Sequence, residues 1–278
     1  MRGTIAGMQI GIIGGGVIAR LILDHAQRGS LGGARIAGIL GRSEASRAKP
    51  LADTFGVPFV AELDALVRLR PDLVIEAASH DAVRQHAAAL LEGGISVIVL
   101  SAGALCDDAL RSRLEMLAAR GGATLYVPSG GIGGLDALKA ACAAGVDDVE
   151  IVVTKPPAAW KNIPFVASLD VNLDRLAHPA TLFEGTAREG VPHFPANVNI
   201  AAVLSLAGIG FDRTRMKVVA DPTLQHNTHY INVRGRTGSI AIKLESVPSP
   251  DNPKTALLAC YSAIAAVNAF QASARYGT

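Results

Sequence analysis

With 278 residues, half of them hydrophobic and only 4% aromatic, the chain has the length of about two domains and enough apolar material for a substantial core. A net charge of +2 with scattered Lys and Arg supplies no basic stripe to neutralise a phosphate backbone, which argues against a nucleic-acid partner. No run reaches the ~20 apolar residues of a membrane span, no signal peptide is read, and the three cysteines, Cys106, Cys142 and Cys260, lie far apart outside any C-x-x-C pair, so the expected setting is the reducing cytoplasm, with no metal.

Residues 1–7 precede the first strand and read as loosely ordered or as an over-extended start. From Gln9 to about Pro128 the chain repeats a short apolar run, a glycine or polar turn, and a stretch with helical spacing. The runs are 10–13, 35–40, 73–78, 97–100 and 123–127, and the helices between them are expected at 17–28, 45–55, 81–92 and 107–120. In the first helix Val17, Ile18, Leu21 and Ile22 recur as a stripe expected to be buried. Such alternation predicts a parallel sheet. Past Gly130 the texture changes: strand-like runs at 149–154, 216–219 and 240–244 are set among polar loops with one or two helices, and a final helix is read over 254–274. The expected fold is thus α/β, a Rossmann dinucleotide-binding domain over 1–130 completed by the C-terminal helix segment 252–278, with a second, α+β domain over 131–251 for the substrate and catalysis.

The chemistry concentrates at strand ends. Gly14-Gly15-Gly16-Val17-Ile18-Ala19 follows the first strand and opens the first helix, a G-x-G-x-x-A turn. Gly14 permits the tight turn, Gly16 the close approach of a pyrophosphate, and Ala19 close helix packing, while the amides of the helix start, at Val17 and Ile18, face the phosphates. Where a NAD-specific enzyme holds the adenosine ribose with a carboxylate, this chain has Gly41-Arg42-Ser43, so Arg42 and Ser43 are suited to a 2′-phosphate and either NAD or NADP is expected. Ala78 and Ser79 at the end of the third run and Ser101 after the fourth are small residues where a dinucleotide crosses the sheet edge, and Ser79 serves equally well as a helix N-cap.

In the second half, Pro128-Ser129-Gly130-Gly131-Ile132-Gly133-Gly134 crowds glycines ahead of a helix, suited to offering backbone amides to a ligand. Alternation from Asn227 to Val233 puts Asn227 and His229 on one strand face, where Asn227 is placed to orient the imidazole. Lys155, Arg188 and Lys254 are cations available to substrate carboxylates, and the residue types alone do not choose among them.

The strings GIIGGGVIA, PSGGIGGLDAL, TKPP, FEGTAREGVPHFPANVNIAA, ADPTLQHNTHYI and PSPDNPKTALL, spread along nearly the whole chain, resemble the L-aspartate dehydrogenase family. That resemblance implies a homodimer with a small-molecule substrate. It would oxidise L-aspartate reversibly with NAD or NADP to iminoaspartate, yielding oxaloacetate and ammonia or feeding NAD biosynthesis. It also implies that Gly131, through its backbone, and Asn197 contact the cofactor, and that His229 is catalytic. Many relatives carry Ala where Gly131 stands. Two other readings stay open: a related Rossmann oxidoreductase on another small substrate, of the homoserine dehydrogenase or dihydrodipicolinate reductase kind, and a nicotinamide-binding sensor without turnover.

Overall fold

A computed structural model describes residues 7–195, 198–249, 252–274 and 276, with the backbone alone at 248–249 and 252–255. The expectation for residues 1–6 lies outside them. The chain divides into two compact units, Met1–Pro128 with Cys260–Arg275, and Ser129–Ala259 with Tyr276–Thr278.

In the first unit six parallel strands, β1 (Gln9–Ile13), β2 (Arg35–Leu40), β3 (Phe59–Val60), β4 (Leu73–Glu76), β5 (Ser96–Val99) and β6 (Leu125–Tyr126), stand in the order β3-β2-β1-β4-β5-β6. This is the doubly wound order, in which the order of successive strands reverses beside β1. The helices α1 (Val17–Gln27), α2 (Ala48–Phe55), α3 (Leu63–Arg68), α4 (His80–Glu92) and α5 (Asp108–Gly121) connect them. Strands β1, β4 and β5 are apolar because they are covered on both faces: Ile10, Ile12, Leu73, Ile75 and Ile98 are all at most 1% exposed.

Three local details differ from the sequence expectation. Helix α1 buries Ala19, Ile22 and Leu23, with Ile18 and Leu21 only partly covered and Val17 half-buried at the open end of the helix. The small Ala19 sets the closest approach to the sheet, so the buried line runs through it. Helix α2 starts at Ala48, not 45, because Ser43 to Ser46 form a turn closed by the Ser46 amide on the Ser43 carbonyl at 2.9 Å. Strand β3 and helix α3 add to the expected elements; two and six residues are too short to display a period.

In the second unit α6 (Leu135–Ala144), α7 (Pro164–Ala167), α8 (Ala187–Gly190) and α9 (Asn199–Ala207) accompany a mixed sheet of β7 (Val146–Lys155), β8 (Ala180–Thr186), β9 (Thr214–Ala220), β10 (Asn227–Gly235) and β11 (Gly238–Ser246). Its order is β11-β10-β7-β9-β8, with only β7 and β9 parallel. A short pair, β12 (Pro248–Ser249) and β13 (Asn252–Ala256), precedes α10 (Leu257–Gln271). The helix read from 254 therefore begins three residues later, after a strand. The sheet is two-faced. Val149, Ile151, Val153, Met216, Val218, Ile231 and Val233 are buried on one side, while the other carries the bidentate Arg215–Asp148 pair at 3.0 Å, Arg234–Asp148 at 2.9 Å and Lys217–Glu184 at 2.8 Å. Such alternation fits strands whose inner residues meet helices and whose outer ones meet water.

Candidate active site

The turn between β1 and α1 is built for a close-lying ligand. Gly14 has φ +108°, and a Cβ there would stand 2.7 Å from the Ala77 carbonyl oxygen, so no side chain is admissible. A Cβ at Gly15 would lie 2.3 Å from the Ala48 nitrogen, the start of α2, a constraint on the middle residue that the motif pattern does not contain. At Gly16 the same construction meets no atom within 4 Å. The N-terminus of α1 above it has no side-chain cap and no acidic residue in its first turn, leaving the amides around Val17 and Ile18 for a phosphate. Open space over an uncapped helix start is the cradle a pyrophosphate requires, so these residues fit a dinucleotide. Arg42 and Ser43, just past β2, are exposed and face no competing ion pair among the described residues.

The other two strand ends are organised by a residue the sequence reading did not single out. Glu76, 1% exposed at the end of β4, accepts hydrogen bonds from the amides of Ala78 and Ser79, both 2.8 Å, and from the amide and hydroxyl of Ser101 at 3.0 and 2.9 Å. Burial pushes its carboxyl above the ordinary range and the hydrogen bonds pull it back in part. The Ser79 hydroxyl caps α4 by accepting from the Ala82 amide at 3.2 Å. The amides of Ala78, Ser79 and Ser101 are therefore already engaged. What signalled Glu76 in the sequence was a lone acid closing the apolar run Leu73-Val74-Ile75.

In the second unit His229 pairs across the ladder with Val153 on β7 and Leu244 on β11. Lys155, two residues beyond Val153, shares that sheet face, as does Asn227. His229, Lys155 and Asn227 are 4%, 3% and 6% exposed. Desolvation, then the positive charge of Lys155, lowers the His229 pKa to about 3, so the imidazole is neutral. Desolvation also lowers Lys155 to about 8. Its ammonium stands 5.1 Å over the ring of Trp160, which is itself fully buried and fixed by Nε1–H donation to the Val219 carbonyl at 3.0 Å. The buried Nδ1 of His229 has no hydrogen-bond partner among the described residues, so Asn227 shares its face without holding that nitrogen.

The loop carrying Gly131 lies near this face. A Cβ at Gly133 would touch Leu244, the cross-strand neighbour of His229, at 3.8 Å, and one at Gly131 would meet only Ile200 and Ala256 at 3.9 and 4.0 Å. Alanine therefore fits at position 131 in ordinary contact. Arg188 is committed to Asp212 through two bonds of 2.9 and 2.8 Å and packs on Phe211, which makes it a structural cation. Asn197 and the side chain of Lys254 lie outside the described residues.

A doubly wound sheet with a glycine cradle, and a second unit bearing a buried neutral histidine beside a buried lysine, define a dinucleotide-dependent oxidoreductase. The chain is 42% identical to the L-aspartate dehydrogenase of Methanosarcina mazei over 98% of its own length and all of that protein, and 44% identical to L-aspartate dehydrogenase 2 of Bordetella pertussis over 96% of each. It belongs to the L-aspartate dehydrogenase family. Residues 136–270 match the family model described as aspartate dehydrogenase, C-terminal, and residues 10–128 the one described as homoserine dehydrogenase, NAD binding domain. The crystal structure of aspartate dehydrogenase from Thermotoga maritima is similar with a TM-score of 0.75 and 27% identity, covering 97% of this chain and 99% of that one. The protein is accordingly an oxidoreductase acting on the CH–NH2 group of an amino acid, with a nicotinamide dinucleotide as cofactor.

Proposed function

We propose that the protein oxidises L-aspartate to iminoaspartate, which water converts to oxaloacetate and ammonia, and that it runs the reverse reaction when ammonium is abundant. The observation that carries the reading is the pairing of His229 and Lys155, both at least 96% buried on one sheet face, with a ring nitrogen of the histidine left without a partner. Membership of the family supports the choice of L-aspartate.

When bound, a nicotinamide dinucleotide supplies the acceptor for the hydride that leaves C2 of the substrate. The remaining tasks fall to side chains. Before C2 can release a hydride the substrate ammonium must lose a proton, and His229, already neutral, has a ring nitrogen available to take it. An imidazole whose pKa is about 3 is a weak acceptor. A substrate carboxylate laid against Lys155 would remove part of that depression, because the lysine charge is one of its two causes and a nearby anion favours imidazolium. Proton uptake at His229 is thereby coupled to arrival of the dianionic substrate. The same imidazole then assists water against the imine.

Asn227 lines the face beside it, Lys254 is a second carboxylate partner, and Gly131 and Asn197 contact the cofactor. Gly14, Gly16, Val17 and Ile18 hold the pyrophosphate. Arg42 and Ser43 admit a 2′-phosphate, the one carboxylate of their turn, Glu44, being paired with Lys49 at 3.4 Å, which makes NADP a substrate alongside NAD. The test is to mix the protein with oxaloacetate, ammonium and NADH or NADPH in turn and to follow loss of the reduced nicotinamide absorbance. Ammonium-dependent oxidation with both cofactors is expected. Absence of turnover despite cofactor binding would overturn the substrate, and activity with NADH alone would overturn the assignment of Arg42.

A further inference from the structure

We propose that Glu76 is a positioning residue for the dinucleotide: its buried carboxylate fixes the peptide groups after β4 and β5 so that their carbonyl oxygens, and not their amides, are free for the hydroxyls of a ribose. Four hydrogen bonds converge on this one side chain, from the amides of Ala78, Ser79 and Ser101 and from the Ser101 hydroxyl, at 2.8 to 3.0 Å. Two of the donors lie 25 residues away in sequence, on the turn after the neighbouring strand β5. The carboxylate is therefore a brace between two turns, not a local cap.

No described peptide is cis, and in a planar trans peptide the N–H and the C=O of the same unit point in opposite directions. Amides drawn inward to Glu76 turn the carbonyls of Ala77, Ala78 and Leu100 away from it. The Ala77 oxygen does lie beside the glycine turn, 2.7 Å from where a Gly14 Cβ would be. Ala78 and Ser79 are exposed, so the turn bearing these carbonyls reaches solvent. One edge of one sheet thus offers two chemistries. After β1 it presents unpaired amides and a helix start, suited to an anion. After β4 and β5 it presents carbonyl acceptors over a buried acid, suited to neutral diols and repellent to phosphate. A dinucleotide, with its anionic centre and sugar diols on either side, matches that division.

An acid at this place is costly unless fully hydrogen-bonded, and the four donors satisfy it. Glu76→Gln keeps the shape but sets an NH2 group against the Ser101 amide or against the Ala78 and Ser79 amides. Three readouts are to be taken on the full-length protein. In the ligand-free protein, hydrogen exchange at Ala78, Ser79 and Ser101 is expected to accelerate about tenfold or more, as the bonds holding those amides are weakened or lost. By fluorescence titration the Kd values of NADH and NADPH should rise together by about tenfold, since the 2′-phosphate is met elsewhere. The KM for L-aspartate should stay within about twofold. Ser101→Ala, which removes one bond of the four, should weaken both cofactors about threefold, and it decides the matter should Glu76→Gln not fold. The wild-type Kd reports on the cofactor assignment itself, whereas the variant-to-wild-type ratio reports on Glu76. Unchanged Kd values alongside faster exchange would show a purely structural acid and overturn the proposal, as would Ser101→Ala with normal affinity.

Discussion

Lys155 illustrates how a single residue can oppose stability while being placed for the role proposed for it. Its pKa falls from 10.5 to about 8 because burial disfavours the ammonium. The unfolded chain thus holds a proton that the folded chain releases between those two values, and stability rises with pH across that window. Below about pH 8 the burial penalty is complete, roughly 3 kcal/mol from the size of the shift. Lys155→Met should therefore raise the Tm at pH 7 by about 5 °C, with the gain shrinking toward pH 10.5, while the KM for L-aspartate rises steeply. Calorimetry at several pH values checks this, and a lower Tm at pH 7 would show that the lysine is a net stabiliser. His229 behaves in parallel at the acid end. The unfolded ring protonates below about 6.5 and the folded ring only near 3, so stability is lost as pH falls through that interval. His229→Ala should retain NADH binding, lose about 10² to 10⁴ in kcat, and flatten the acid limb of the stability profile; a variant with normal turnover would remove the histidine from the mechanism.

At the scale of elements, the turn from β1 into α1 separates packing from binding within three consecutive glycines. Gly15 abuts the backbone of α2, which cannot retreat, so Gly15→Ala is an overpacking change expected to cost about 1 to 3 kcal/mol and to lower the Tm. Gly16 faces open space, so Gly16→Ala should melt like the wild type yet bind NADH at least about tenfold more weakly. Melting curves and NADH titrations on both variants test the pair. Equal affinity for wild type and Gly16→Ala would mean that no ligand comes close there. The elements themselves were legible to unequal degrees. Strands β1, β2, β4 and β5 and helices α4 and α5 stood out because each shows several turns of period or a continuous buried run, and α5 also has its Asp107 cap. Helices α7 and α8, four residues each, and the edge strand β8 show no such pattern, so the one or two helices that the sequence predicts there fall short of α6 to α9.

At the scale of the whole chain, the first unit is not continuous in sequence. Ala263, Ile264, Ala266 and Val267 of α10 belong to the same buried cluster as Ile10, Ile12, Ile22 and Ile75. Gln271 closes the contact by donating to the Leu31 carbonyl at 2.8 Å. A chain ending at Ala259 loses that surface. With about 1.5 to 3 kcal/mol for each large apolar side chain uncovered, against a typical stability of 5 to 15, the first unit should lose its cooperative melt and its NADH affinity together. Calorimetry and a binding titration on the truncated chain check this, and retained NADH binding would show that α10 is dispensable to the first unit.

Taken by itself, the sequence determined that a parallel, dinucleotide-binding sheet opens the chain, that a glycine turn leads from β1 into α1, and that His229 and Asn227 share a strand face. These are consequences of neighbours within a few residues, where spacing translates directly into geometry. Only the tertiary structure decided which charges lose their water. That Glu76 braces two turns, that Lys155 lies buried over Trp160 and depresses His229, and that Arg188 is spent on Asp212 all depend on strands and loops distant in sequence coming together. Desolvation is a property of the packed surroundings, and nothing in the order of residues along the chain records it.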